Sequence, residues 1–259
     1  KDLSGNGNDG IIYGAKCVDG KFGKALRFDG VNDYVEVPDS PSLDITTEAT
    51  LEAWVKLKSS TDWQTIFSKG LDGRENYELL VCSDLSCLHT GWEFDIGRLY
   101  HNWDYLIPEN KWTHICLRWK APLMKLYING EFKETWDTGA SYAIPRTEPL
   151  LIGNEYGRAR YFNGIIDEVC IYNRALSEEE IRALYERGVA PRPKLAIEMD
   201  IDTSLKQGEV RKGTIRVENI GNSDAKSVKV RLFSEGLGID VEKSYAKIPS
   251  GEAREFLFE

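Results

Sequence analysis

The sequence predicts an all-β protein: an antiparallel sandwich or barrel carrying one short helix, followed by a second, smaller set of strands. Three observations lead there. Most of residues 25–172 alternates apolar and polar side chains with a period of two, the signature of strands buried on one face. The alternating runs are short and bounded by Gly, Asn, Asp and Pro, and the 23 glycines suit the tight turns between them. The strands follow one another without intervening helices, which favours antiparallel pairing.

In chain order, Ala25-Leu26-Arg27-Phe28, Tyr34-Val35-Glu36-Val37, the run from Thr50 to Leu57 and the run from Thr113 to Trp119 each read as a half-buried strand. Lys125 to Phe132 reads as a hairpin, because Asn129-Gly130 supplies the two positive-φ residues of a type I′ turn. The helix is written in Ser177-Glu178-Glu179-Glu180-Ile181-Arg182-Ala183-Leu184-Tyr185-Glu186-Arg187-Gly188. Ser177 caps its first turn, Glu180 three residues on completes a capping box, and Gly188 ends it. Ile181, Leu184 and Tyr185 form a narrow apolar stripe that suits packing on the outside of the sandwich. Ala190-Pro191-Arg192-Pro193 is a stiff, extended connection. Strands resume at Leu195 to Met199, Gly213 to Asn219, Ser227 to Leu232 and Glu255 to Phe258, a pattern that suggests an immunoglobulin-like sandwich. The expected organisation is therefore a first domain over 1–189, a proline linker over 190–193, and an immunoglobulin-like domain over 194–259 with too few strands to close.

The formal charge of −9 is unevenly placed: residues 192–259 carry 12 Lys+Arg against 12 Asp+Glu, leaving 21 against 30 for residues 1–191. An acidic surface rich in aromatics repels phosphate backbones and anionic lipid, which argues against nucleic acid and membrane attachment as partners. Cations and neutral sugars suit it better. No apolar run approaches the roughly 20 residues of a membrane span, and the start shows no signal-peptide pattern. Lys1 rather than Met at the start marks a mature product or an excised piece.

Five cysteines (Cys17, Cys82, Cys87, Cys116, Cys170) show neither CxxC pairs nor nearby histidines, which argues against zinc. Cys82 and Cys87 bracket a polar loop and could close a short disulfide; the alternative is that the strand cysteines are buried small hydrophobes.

Several motifs together resemble a known family. Leu3-Ser4-Gly5-Asn6-Gly7-Asn8-Asp9-Gly10, then Leu26 to Val37, Trp112-Thr113-His114-Ile115, Leu126-Tyr127-Ile128-Asn129-Gly130 and Ile165 to Ser177 stand in the order found in the laminin-G-like, concanavalin-A-like jelly-roll family. The match covers about residues 2–187 and implies an antiparallel jelly-roll β-sandwich. Residues 194–259, especially Val217 to Ala225, resemble immunoglobulin-like adhesion repeats that accompany such modules in secreted proteins. Family members usually begin with an apolar strand and an acidic turn before the Ser-Gly-Asn-Gly segment, and this sequence has neither; a fragment, a proteolytic product or a strand supplied by another chain would each explain that.

Calcium is the cofactor the residues suggest, because a hard cation takes six to eight oxygens and the Asp29-Gly30-Val31-Asn32-Asp33 turn is dense in them. The resemblance implies a structural calcium joining an early acidic turn to an Asp that opens a late strand, which maps onto Asp29, Asn32 and Asp167, with the Gly30 carbonyl assisting. The same residues also read as ordinary turn formers.

Sugar is the second candidate ligand, since pyranose rings stack on exposed aromatic planes while amides and carboxylates fix the hydroxyls. Trp63, Trp92, Tyr100, Trp103 and Tyr105 are interleaved with polar side chains, and Tyr100-His101-Asn102-Trp103-Asp104-Tyr105 is the richest segment. Trp92, Tyr100, Asn102, Trp103 and Tyr105 are the candidate sugar contacts, with core packing as the alternative. The loop Asn154 to Tyr161 could contribute from the same rim or be a solvated turn.

Catalysis lacks its residues. Jelly-roll glucanases carry Glu-x-Asp-x-x-Glu on one strand; Glu93-Phe94-Asp95 comes closest, and Arg98 stands where the second Glu belongs. The three histidines, His89, His101 and His114, accompany no nucleophile motif, and His114 inside a strand reads as structural. The expectation is a non-catalytic carbohydrate-binding or adhesion module at the cell surface or outside the cell, its partners glycans, other domains or copies of the same protein. The alternative is a structural or assembly domain of a surface layer, filament or large secreted enzyme.

Overall fold

The computed structural model describes the chain except for residues 60–61, 84–86, 190–194, 202–212, 220–224, 235–238, 251 and 259. The chain divides into two compact units, Lys1–Gly188 and Val189–Glu259.

The first unit runs through β1 (Ile11–Tyr13), β2 (Lys16–Asp19), β3 (Lys24–Asp29), β4 (Tyr34–Val37), β5 (Glu48–Leu57), β6 (Gln64–Leu71) and β7 (Arg74–Val81). It continues through β8 (Leu88–Phe94), β9 (Gly97–Trp103), β10 (Trp112–Lys120), β11 (Leu123–Ile128), β12 (Glu131–Asp137), β13 (Leu150–Ile152), β14 (Asn163–Tyr172) and helix α1 (Glu178–Val189). Two antiparallel seven-stranded sheets form a jelly-roll sandwich: sheet 1 in the order β1-β4-β13-β6-β7-β8-β9, and sheet 2 in the order β12-β11-β10-β5-β14-β3-β2. Their inner faces meet in one core that includes Phe28, Leu51, Val55, Ile66, Tyr77, Trp92, Trp103 and Trp119. Close packing fixes some backbone choices. Gly153 has φ +85°, and a Cβ there would lie 2.4 Å from the Phe28 ring, so only glycine fits.

A bulge between β6 and β7 positions the face described below. Lys69 pairs with Tyr77, but the next residue, Gly70, pairs with Glu75, so Asn76 is the extra residue. Asn76 is buried, and its amide accepts from Ile45 N–H and donates to the Ile45 and Ile144 carbonyls. Tyr77 enters the core, while Glu75 and Glu78 turn to the outer face.

The hairpin reads as expected: Asn129 and Gly130 both have positive φ, and the Asn129 side chain accepts from His114 N–H. The capping box also forms, with Ser177 N–H donating to Glu180 and Glu180 N–H donating to the Ser177 hydroxyl. Ile181 is buried against Cys116, Tyr127 and Leu176, and Tyr185 stacks on Trp54, so α1 covers the outside of sheet 2. The helix extends through Gly188 to Val189, one residue past the expected end, within the ordinary fraying of helix termini. Cys82 and Cys87 are joined by a disulfide, with Cα atoms 5.4 Å apart.

The second unit contains β15 (Leu195–Ile201), β16 (Gly213–Asn219), β17 (Ala225–Ser234), β18 (Ile239–Ile248) and β19 (Ala253–Phe258), forming a β15-β16-β19 sheet and a β17-β18 pair. Ile215, Val217, Ala225, Val228, Val230 and Ile248 make its core. Sequence reading passes over β18, whose alternation is broken by Lys243 and Lys247. The expected proline connection at 190–193 lies outside the described residues, as does 220–224 of the repeat-like segment.

Candidate functional site

The outer face of sheet 1, across β7, β8 and β9, gathers a cluster of aromatic and polar groups. Cross-strand register aligns His89 with Asn102, Gly91 with Tyr100, and Glu78 with Gly91. The His89 Nδ1–H donates to the Asn102 side-chain oxygen at 2.6 Å. The His89 ring packs edge-on to Trp63 at 5.1 Å and beside Tyr100 at 5.5 Å. Arg98 lies over the Tyr100 ring at 4.1 Å, and Arg160 over Trp63 at 5.2 Å. Tyr100 is 48% exposed, with the Arg98 guanidinium over one face of its ring. Gly91 makes room for the arrangement: a Cβ there would lie 2.2 Å from the Glu78 carboxylate and 3.1 Å from the Tyr100 ring.

Carboxylates lie beneath and beside this cluster. Glu75, Glu78 and Glu155 are buried, and Asp72 in the β6–β7 turn is half-buried. Arg98 comes within 2.7 Å of Glu75 and 4.0 Å of Glu78; Arg160 pairs with Glu155 at 2.8 Å, and Arg158 with Asp72 at 2.5 Å. The loop from Asn154 to Tyr161 thus supplies both acid and base, held by a bridge between Leu71 and Tyr156. Burial, reinforced by the charge of Glu78, pushes the Glu75 and Glu155 carboxyls up to about 7.

The sugar contacts expected from sequence divide between the two faces. Tyr100 and Asn102 stand on the outer face. Trp92 and Trp103 do not: both are fully buried in the core, Trp92 stacked on Phe94 with its indole N–H donating to Thr90. Tyr105 is half-buried against the same core. Period-two alternation along β9 sends Tyr100 and Asn102 outward and Trp103 inward, so the richest segment could not present all its rings together. Trp63, named among the interleaved aromatics but not among the candidate contacts, joins this face with His89 and Arg160 around it.

The expected calcium ligands are not brought together. Asp29 pairs with Asn163, and Asp167 lies four residues further along β14, about 13 Å away at strand rise. Asp29 accepts from Val31 and Asn32 N–H and so closes its own turn. Its N–H donates to Asp33, and Gly30 takes φ +83°. Asp167 accepts from Phe22 N–H at 2.8 Å and Glu168 N–H at 2.9 Å; burial pushes its carboxyl up. Asp29, Gly30, Asn32 and Asp167 therefore do not fit a shared ion.

The glucanase-like acids Glu93 and Asp95 are both already partnered. Glu93 is held by Arg146, and Asp95 accepts from Ser141 N–H. Glu75 and Glu155 approach within 4.8 Å, the spacing of a retaining pair, but both are fully buried, so no substrate oxygen reaches them in this arrangement. His114 is buried and bonded to Glu52 at 2.9 Å.

Comparison with known families matches residues 29–182 to the concanavalin A-like lectin/glucanases superfamily, more than half of the chain. The chain belongs to that superfamily. Among curated proteins, mouse pentraxin-related protein PTX3 is 33% identical over 92 residues, covering 31% of this chain and 24% of that protein. Human adhesion G-protein coupled receptor D1 is 36% identical over 83 residues, covering 30% of this chain and 9% of that protein. The matches thus span a quarter or less of these relatives' length. Among solved structures, the binding domain of Paraclostridial Mosquitocidal Protein 1 superposes with TM-score 0.63 at 18% identity, over 98% of this chain and 66% of that one. Domain 4 of AbnA, an extracellular arabinanase of Geobacillus stearothermophilus, solved with arabinotriose, gives 0.56 at 24% identity, over 71% and 91%. The botulinum neurotoxin serotype G binding domain gives 0.60 at 10% identity, over 97% and 76%. At these identities the solved structures establish the shared fold. Among the described residues no helix is long and apolar enough to cross a membrane.

Proposed function

We propose that this chain is a non-catalytic carbohydrate-binding or adhesion module of a secreted or cell-surface protein, and that the outer face of sheet 1 receives the sugar. The observation that carries the reading is the row of Trp63, His89, Tyr100 and Asn102 beside Arg98 and Arg160: stacking planes next to donors and acceptors, the chemistry of pyranose and furanose recognition. Family membership and the arabinotriose complex of AbnA domain 4 support a glycan as partner. The Cys82–Cys87 disulfide supports an extracellular location. An immunoglobulin-like role as spacer or adhesion repeat for the second unit is supported by its two antiparallel sheets around an aliphatic core.

The test is a glycan array followed by fluorescence titration, with arabinotriose among the first probes. Saturable binding that Trp63→Ala or Tyr100→Ala removes supports the reading. Absence of binding across a broad array by folded protein overturns it.

A second reading, assembly with copies of the same protein, is favoured by edge strand β1, whose Ile11 and Ile12 are each 52% exposed. An open apolar edge accepts a strand from a neighbour. Sedimentation equilibrium showing only monomer at high concentration would exclude it.

A further inference from the structure

We infer that the outer face of sheet 1 selects uncharged oligosaccharides and rejects acidic ones, such as uronates and sialosides. The inference rests on the sugar reading of Trp63, His89, Tyr100 and Asn102, and it sets the charge of the ligand they receive. Recognition of a sugar carboxylate needs a cation free to pair with it, most effectively a guanidinium offering two parallel N–H bonds. The three guanidiniums of this face already hold carboxylates: Arg98 is 2.7 Å from Glu75, Arg158 is 2.5 Å from Asp72 and Arg160 is 2.8 Å from Glu155. The two that lie over the rings, Arg98 on Tyr100 and Arg160 on Trp63, are the two whose partners are fully buried. Turning either toward a ligand would leave a buried carboxylate without its counter-charge, which costs more than an exposed ion pair returns.

Glu78 adds to the bias. It is 1% exposed, its carboxylate sits against Gly91 next to the Tyr100 ring, and neither of its oxygens accepts a hydrogen bond. His89 at 3.6 Å and Arg98 at 4.0 Å are its basic neighbours, and Arg98 is closer to Glu75. Four carboxylates thus stand against three guanidiniums on this face, within residues 1–191, where 30 acidic side chains outnumber 21 basic ones. A sugar anion would approach against a negative potential that the partly buried setting screens poorly. A neutral sugar asks none of these charges to move. Trp63 and Tyr100 offer planes for its C–H faces, and the Asn102 amide, its oxygen engaged by His89, presents N–H donors to its hydroxyls.

The test titrates the intact chain at about pH 8, where Glu75 and Glu155 are ionised, against an array that pairs neutral with acidic glycans. Arabinotriose and lactose stand among the neutral probes, trigalacturonate and sialyllactose among the acidic ones. Neutral probes binding about tenfold more tightly or better, with added salt raising the acidic affinity by screening the repulsion, support the inference. Glu155→Gln frees the Arg160 guanidinium, and Glu78→Gln removes the charge that lacks a hydrogen-bond donor. In variants shown to be folded by circular dichroism, the ratio of acidic to neutral affinity should rise in both, by about tenfold in Glu155→Gln. Acidic probes that bind as tightly as neutral ones overturn the inference and leave the sugar reading in place. Parent-like ratios in both folded variants overturn it as well. Absence of binding across the whole array removes the sugar reading and the inference with it.

Discussion

Glu75 and Glu78 are three residues apart on one strand, yet their carboxylates share a face and a single guanidinium: Arg98 lies 2.7 Å from one and 4.0 Å from the other. Strict alternation would set them on opposite faces, and the bulge at Asn76 brings them together. The Asn76 amide holds that bulge through three bonds to the Ile45 and Ile144 backbone. Asn76→Ala should therefore cost about 2–4 kcal/mol, because buried backbone groups lose their partners. Urea denaturation measures the loss; a change below about 0.5 kcal/mol would show that the bulge stands without the amide.

The two tryptophan environments make opposite predictions. Trp103→Ala empties a fully buried position in the core and should cost about 3–5 kcal/mol. Trp63→Ala, at a half-buried position just before β6, should cost under about 1 kcal/mol while abolishing sugar binding. Chemical denaturation and glycan titration on the same two proteins separate the effects.

Those residues also mark how far the sequence could be read. The strands and the capped helix were legible because alternation, Asn129-Gly130 and Ser177 to Glu180 are local signals. Tyr100 and Asn102 were legible for the same reason. The carboxylate cluster was not, since Asn76 shifts the face of Glu75 and a loop some eighty residues away supplies Glu155. Trp92 and Trp103 misled because richness in aromatics carries no information about direction until the register of β8 and β9 is known. The Asp29 turn resembles a ligand loop, but its oxygens serve its own backbone.

Glu52 anchors a buried polar network beneath α1. It accepts from His114 at 2.9 Å and from the Tyr172 hydroxyl at 3.3 Å, beside the Trp54–Tyr185 stack. Glu52→Ala should leave the buried His114 ring N–H without its acceptor and cost about 2–4 kcal/mol. Calorimetric melting should show the loss, with Glu52→Gln recovering part of it because the amide oxygen still accepts.

The capping box gives a pH dependence with a defined sign. The Arg174 guanidinium, and next the Ser177 N–H, hold the exposed Glu180 carboxyl at about 2, below its ordinary 4.5. A carboxylate lowered in the folded state stabilises that state above the unfolded value and loses the contribution as pH falls from 4.5 through 2. The first turn of α1 should therefore loosen in that window, with faster amide exchange at Ser177 and Glu180. Ser177→Ala, which removes the acceptor for Glu180 N–H, should cost about 1 kcal/mol at neutral pH. Arg174→Ala should return the Glu180 titration toward 4.5, measured by side-chain carbon shifts. A Glu180 that titrates at 4.5 in the parent protein would show that the box does not form in solution.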